Sequence, residues 1–298
     1  MATPEPSLVI PPADIAAHWD VDLSAPLEPL ATVRNLVVRS GAYVIREAET
    51  PVESVRWEHE FVDFLAPRLP EVVAPLRARD GGTFLVADGR VVSVLPYVDA
   101  EHAKRSDPRV RAEVPRLLAR LHRAASEWPG TRPRPGRPSW RDLDWVVNDT
   151  WDWHVLERTP TVERAYAAAR EWLADPPPLA TSAVHGDFHP ENLLASERGI
   201  EAVIDWEFAR LDWPAADLAA AVTALSLQKD GTIDRGIADE TVAAYIEAGG
   251  RDESHALEPL MRQFLLAVDL HGRTRKATGE SWSPEFQGMI DTALAGFM

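Results

Sequence analysis

Apolar and polar positions follow two different rhythms along the first hundred residues. The stretch VRNLVVRSGAYVIR (33–46) holds two short β-branched runs broken at Ser40-Gly41, which predicts two strands joined by a hairpin turn. VESVRWEHEFVDFLAPRL then places Val55, Phe61, Phe64, Leu65 and Leu69 at near-helical spacing and stops near Pro70. In GTFLVADGRVVSVLPYV two apolar runs flank Asp88-Gly89, a strong short-range hairpin signal. After a proline-punctuated leader, the order strand, strand, helix, strand, strand predicts a small antiparallel sheet with one inserted helix.

From Ser106 onward the rhythm becomes helical. Asp107-Pro108 predicts a helix start before RAEVPRLLARLHRAASEW, in which Pro115 must sit in the first turns or kink the helix. A loop rich in Pro, Gly and Arg (129–138) precedes helical stretches near 143–157 and 161–174. The segment from Pro214 to the end is helical by pattern, with breaks at Asp230-Gly231 and Gly249-Gly250. No repeat or heptad array is present. The fold class is therefore α+β, with a β-rich lobe at 1–99 and a larger helical lobe at 100–298.

Composition narrows the chemistry. The 298 residues suffice for about two domains with full cores. No apolar run reaches the roughly 18–20 residues of a membrane helix, and the amino terminus lacks the marks of a secretion signal, so a cytoplasmic protein without a membrane partner is expected. With no cysteine, thiolate nucleophiles, thiolate metal sites and disulfides are excluded. The net charge of −16 argues against a nucleic-acid partner. Residues 1–138 carry 18 basic and 19 acidic side chains, and residues 139–298 carry 13 and 28, so net −15 lies in the second part. Such a field either concentrates cationic ligands or simply keeps the surface soluble.

The candidate chemistry lies in VHGDFHPENLLA (184–195) and EAVIDW (201–206). Each begins as a short apolar strand that runs into an aspartate, Asp187 and Asp205, and Asn192 follows Asp187 by five positions. Two strand-end carboxylates and an amide suit phosphoryl transfer, in which positioning and charge neutralisation dominate. Asp187 would accept the proton of an attacking hydroxyl, and Asn192 and Asp205 would offer hard oxygens to Mg²⁺. His185 reads as a structural hydrogen-bonding residue. A zinc-hydrolase reading of HGDFH remains an alternative, although it leaves Asn192 and VIDWE unused.

His185-Gly-Asp187-x-x-x-x-Asn192, then VIDWE and PAADLA around Asp217, resembles the aminoglycoside phosphotransferase and choline kinase family of the protein-kinase-like superfamily. YVIR, EHEFVDFL and LLARLH extend the resemblance over about Val33 to Ala220. It implies a bilobal protein-kinase-like fold and a kinase that uses ATP or GTP with Mg²⁺. It further implies Asp187 as catalytic base, Asn192 and Asp205 as metal ligands, and Asp217 as a brace for the catalytic loop. In the small lobe it implies Arg46 paired with Glu60, with Glu58 as the rival carboxylate, and nucleotide contacts from Thr32, Asn35, Pro96 and Tyr97. The nucleotide loop departs from the family pattern: LEPLATVRN (27–35) contains no glycine, which restricts how closely backbone amides approach phosphates.

The acidic second half favours a cationic hydroxyl-bearing substrate such as an aminoglycoside, hence an antibiotic-resistance kinase. Candidate contacts are Asp144, Asp149, Asp152, Glu157 and Asp269. Trp140, Trp145, Trp151 and Trp153 could wall the substrate or belong to the core. A metabolic kinase for choline, homoserine or a sugar, and a nucleotide-binding protein without turnover, are the competing readings.

Overall fold

The computed structural model describes residues 8–30, 35–137, 139–141, 158–280 and 282–297. The chain divides into two compact units. One runs to Glu101 and takes in Arg134–Gly136 and Leu194–Ile204; the other comprises the remaining described chain.

The first unit is built on a five-stranded antiparallel sheet of β1 (Glu28–Pro29), β2 (Leu36–Ser40), β3 (Tyr43–Ala48), β4 (Leu85–Ala87) and β5 (Arg90–Pro96), in the order β1-β2-β3-β5-β4. Gly41 turns the β2–β3 hairpin with φ +57°, and Asp88 and Gly89 turn the second hairpin with φ of +48° and +77°. Paired positive φ values suit the right-handed twist of adjoining strands, which is why Asp-Gly signals a tight turn. The leader is more ordered than its prolines suggest. Pro12 opens helix α1 (Pro12–Trp19), whose Ile15 and Trp19 join Val38, Ile45, Val92 and Val94 in one core. Trp19 Nε1 donates to Leu76 O at 3.0 Å. Strand alternation turns Ile45 into that core and Arg46 to the opposite face of the sheet, where Arg46 meets helix α2 (Val52–Leu65) through Glu58.

β6 (Glu101–His102) stands where the chain leaves the first unit. The second unit begins with α3 (Pro108–Ala125), capped by Asp107, whose side chain accepts from Arg109 N. Pro115 lies in the interior of α3 rather than in its first turn, buried beside Val114. Next come α4 (Pro160–Ala174) and β7 (Ser182–Val184); the helix expected at 143–157 falls outside the described residues. A hairpin of β8 (Leu193–Ser196) and β9 (Gly199–Val203) follows, then β10 (Arg210–Asp212), which pairs antiparallel with β7. The Leu194–Ile204 part of that hairpin groups with the first unit, where Val203 N donates to Glu71 O at 2.7 Å.

α5 (Pro214–Ser226) is the central helix, buried along nearly its whole length. Ala215, Ala216, Ala219, Ala220 and Ala221 let its neighbours pack close. α6 (Arg235–Glu247), α7 (Leu257–Ala277) and α8 (Pro284–Ala295) complete the unit. Leu265, Leu266 and Leu270 of α7 bury against Val162 and Ala165 of α4 and Ile290 and Leu294 of α8. Trp140 packs against this same cluster as a core residue; Trp145, Trp151 and Trp153 lie outside the described residues. No described helix is long and apolar enough to cross a membrane.

Candidate active site

β7 delivers the chain into His185-Gly186-Asp187. Gly186 has φ +85°, and a Cβ there would lie 2.1 Å from Phe208 O, so this position accepts no side chain. The turn is anchored by Asp217 in the first turn of α5. Its Oδ2 accepts from His185 N and its Oδ1 from Gly186 N, both at 2.8 Å, while His122 Nε2 of α3 lies 3.4 Å from Oδ2. Burial by itself would raise the Asp217 pKa. Hydrogen bonding and charge from His122, the charge of His185 and the Gly186 amide outweigh it and hold the carboxylate below its ordinary value. His122 in turn meets the Tyr245 hydroxyl through Nδ1 at 2.8 Å.

His185 is fully buried, its ring centroid 4.7 Å from that of Trp206. Its Nδ1 accepts from Asp187 N at 3.3 Å, which closes the turn locally. Asp187 itself remains 30% exposed. Pro190–Asn192 forms a single 3₁₀ turn that brings Asn192 back: Nδ2 donates to Asp187 O at 2.8 Å and to Asp187 Oδ2 at 3.1 Å. His189 Nε2 lies 3.4 Å from the same carboxylate oxygen. Burial opposes both charges of this pair, but their mutual attraction prevails. Asp187 is thus held below the ordinary carboxylate range, and His189 is raised above the ordinary imidazole value, with Glu191 and Asp205 adding to the rise. By sequence His189 has a role only in the zinc-type alternative; its nearness to Asp187 comes from the 3₁₀ turn.

Asp205 follows β9 with φ +63°, a left-handed conformation uncommon for a residue with a side chain. The chain then passes through a 3₁₀ turn at Trp206–Phe208 into β10. The zinc-type reading of His185, Asp187 and His189 gains nothing here. Among the described residues no group of three or more such ligands is disposed to hold a metal.

In the first unit, Arg46 Nη1 donates to Glu58 Oε1 at 2.5 Å. The expected partner was Glu60, and that is corrected: Glu60 lies on the exposed side of α2, whereas Glu58 is buried. Helical phase explains the difference, since Glu58 falls in register with buried Phe61 and Leu65. Glu58 Oε2 accepts from a second guanidinium, Arg134 Nη2, also at 2.5 Å. Although burial pushes the Glu58 carboxyl up, Arg46 and Arg134 bring it down to about 2. No local pattern pointed to Arg134.

Asn35 immediately precedes β2, and Leu30 N donates to Val37 O at 2.9 Å, so the glycine-free stretch starts as strand pairing. Thr32 lies outside the described residues. Pro96 closes β5, and Tyr97 donates its N–H to Ala42 O, with the Arg39 guanidinium 3.8 Å from its ring centroid. Of the substrate candidates, Asp144, Asp149, Asp152 and Glu157 lie outside the described residues. Asp269 is corrected: it is fully buried, and Arg273 and Gln287 donate to its carboxylate at 2.7 Å and 2.6 Å. Occupied by internal donors, it offers no open surface to a ligand.

Known proteins resemble this chain in sequence and in fold. A homoserine kinase of Beijerinckia indica subsp. indica is 29% identical over 197 residues, 63% of this chain and 59% of that protein. The chain thus spans somewhat under two thirds of that relative's length. Among solved structures, the amicoumacin kinase hAmiN in complex with AMP-PNP, Ca²⁺ and Ami superposes with a TM-score of 0.74 at 11% identity, over 96% of this chain and 91% of that one. A microcompartment-associated aminopropanol kinase superposes with a TM-score of 0.70 at 22% identity, over 96% and 94%. The fold is the α+β protein-kinase-like fold. The sequence model of the phosphotransferase enzyme family matches residues 27–260, and the chain belongs to that family.

Proposed function

We propose that this chain transfers the terminal phosphoryl group of a nucleoside triphosphate to the hydroxyl of a small amino alcohol or hydroxy amino acid, with homoserine the first candidate. The observation that carries the reading is Asp187. Its carboxylate is partly open to solvent, kept anionic by His189 and Asn192, and set on a turn that Asp217 grips from behind. As the acceptor oxygen bonds to phosphorus and the bond to the departing nucleoside diphosphate breaks, the hydroxyl proton passes to Asp187.

Asn192 and Asp205 would hold a magnesium ion. The Asn192 Nδ2 group is committed to Asp187, and its Oδ1 takes no part in those bonds. Hard oxygen donors of this kind suit Mg²⁺, which when bound supplies charge neutralisation to the phosphate oxygens. Arg46, held by Glu58, would grip the phosphates as a fixed cation.

The homoserine kinases among the relatives support a small zwitterionic acceptor. The antibiotic reading loses Asp269 to internal pairing, and its other carboxylates lie outside the described residues.

The test is nucleoside diphosphate release from Mg-ATP and Mg-GTP with homoserine, aminopropanol, choline and aminoglycosides as acceptors. Turnover is expected with homoserine or aminopropanol. In Asp187→Asn, kcat should fall by about 10²–10⁴-fold, the usual worth of a general base, with Mg-nucleotide affinity nearly intact. Asp205→Asn should weaken Mg-nucleotide binding itself. Full turnover by Asp187→Asn would remove Asp187 from the role of base, and turnover confined to aminoglycosides would restore the antibiotic reading.

A further inference from the structure

Glu58 divides its two oxygens between two guanidiniums, Oε1 to Arg46 and Oε2 to Arg134. The two arginines differ in setting. The Arg46 side chain keeps 16% of its surface exposed, whereas that of Arg134 is wholly buried. Arg134 also donates from Nε to Ser54 Oγ at 2.9 Å, one turn before Glu58 on α2. Its guanidinium therefore spans two positions of the helix and fixes the direction in which the Glu58 carboxylate faces.

The backbone that presents Arg134 is unusually constrained. It stands between Pro133 and Pro135, and Gly136 follows with φ +70°. Each proline has its own φ fixed, and Pro135 disfavours helical backbone at Arg134, so less conformational freedom remains to be lost when its side chain docks. The chain contributes only Arg134–Gly136 to the first unit before returning to the second at Arg137. A three-residue excursion that opens with a buried arginine is costly unless that arginine does something at its destination.

We infer that Arg134 is a positioning residue for nucleotide binding: by holding one oxygen of Glu58 it keeps the other on Arg46, and so aims the Arg46 guanidinium at the phosphate chain. This rests on the proposed reading of Arg46 as the phosphate-gripping cation. Arg134 needs no contact with the nucleotide. Without it, Glu58 is free to rotate, and Arg46 loses its fixed direction while keeping its charge. A lysine at 134 has a single nitrogen and lacks the fork's two separately placed donors, one on Ser54 and one on Glu58.

The experiment measures binding of Mg-ATP and of adenosine to the full-length protein by calorimetry, for the parent, Arg134→Lys, Arg134→Met, Arg46→Met and the Arg46→Met/Arg134→Met double variant. Adenosine lacks phosphates, so it reports the base and sugar contacts and the folded state alone. Arg134→Met should weaken Mg-ATP at least 10-fold and leave adenosine unchanged, with Arg134→Lys between it and the parent. The double variant should bind Mg-ATP no worse than Arg46→Met, because Arg134 acts through Arg46. Undiminished Mg-ATP binding in Arg134→Met, or equal loss of both ligands in Arg134→Lys, would overturn the inference and leave the kinase reading standing. If Arg46→Met binds Mg-ATP as the parent does, or the parent binds no Mg-ATP, the reading of Arg46 falls and the inference falls with it.

Discussion

His59 follows Glu58 directly on α2, and its ring takes a separate path: Nδ1 lies 2.8 Å from Thr83 Oγ1. Burial, with the charges of Arg46 and Arg134, outweighs the attraction of Glu58 and lowers its pKa to about 4. A folded-state pKa below the unfolded value of 6.5 means that protonation favours unfolding. The stabilisation is complete above pH 6.5 and is lost as pH falls toward 4. Between pH 7 and pH 5 this amounts to about 2 kcal/mol, at roughly 1.4 kcal/mol per pH unit below 6.5. Urea unfolding of the parent and His59→Gln at the two pH values should show a shallower loss in the variant, and equal losses would remove His59 from the acid response. Glu58 works in a lower window, its contribution fading from pH 4.5 toward about 2. At this scale the sequence was legible where residues act through near neighbours. Asp187 and Asn192 are five positions apart and meet through one turn, whereas Arg134 reaches Glu58 across 76 positions and carries no local trace. Helical phase alone could have chosen Glu58 over Glu60.

Among the elements, hairpins were the plainest to read, because Ser40-Gly41 and Asp88-Gly89 state in two residues what a strand needs ten to suggest. Nothing would lie within 4 Å of a Cβ at Gly89. Gly89→Ala therefore isolates the cost of positive φ, about 1 kcal/mol, and urea unfolding should show that loss without a change in slope. No loss would mean that the turn relaxes into another geometry. α1 escaped notice because prolines dominate its surroundings, although Ile15 and Trp19 stand four apart, the spacing of a single helical face. The pairing of β7 with β10 was also unreadable. Each strand has three residues, and the connection between them holds another hairpin, so no periodicity marks them as partners.

For the whole molecule, the excess of negative charge is the dominant long-range property, with net −15 of the −16 arising from residues 139–298. Like charges spread over one part of a chain oppose compaction, and salt shortens their reach from about 30 Å at 0.01 M to about 8 Å at 0.15 M. Scanning calorimetry at those two NaCl concentrations should show Tm rising by a few degrees. A fall would mean that ion pairs such as Arg210–Asp212 and Arg273–Asp269 outweigh the general repulsion. Fold class was legible from the change of rhythm near residue 106, but the substrate was not. The candidate carboxylates were chosen by sign of charge, and burial withdrew Asp269 from the surface.

The grip of Asp217 on two successive amides also sets a tempo. The hydrogens on His185 N and Gly186 N are shielded by a buried carboxylate on α5, so they trade with solvent only when the first turn of that helix parts from the end of β7. The loop bearing Asp187 is partly open to water, yet how often it loosens is decided by a helix buried along nearly its whole length. Its chemistry faces outward while its clock is kept inside.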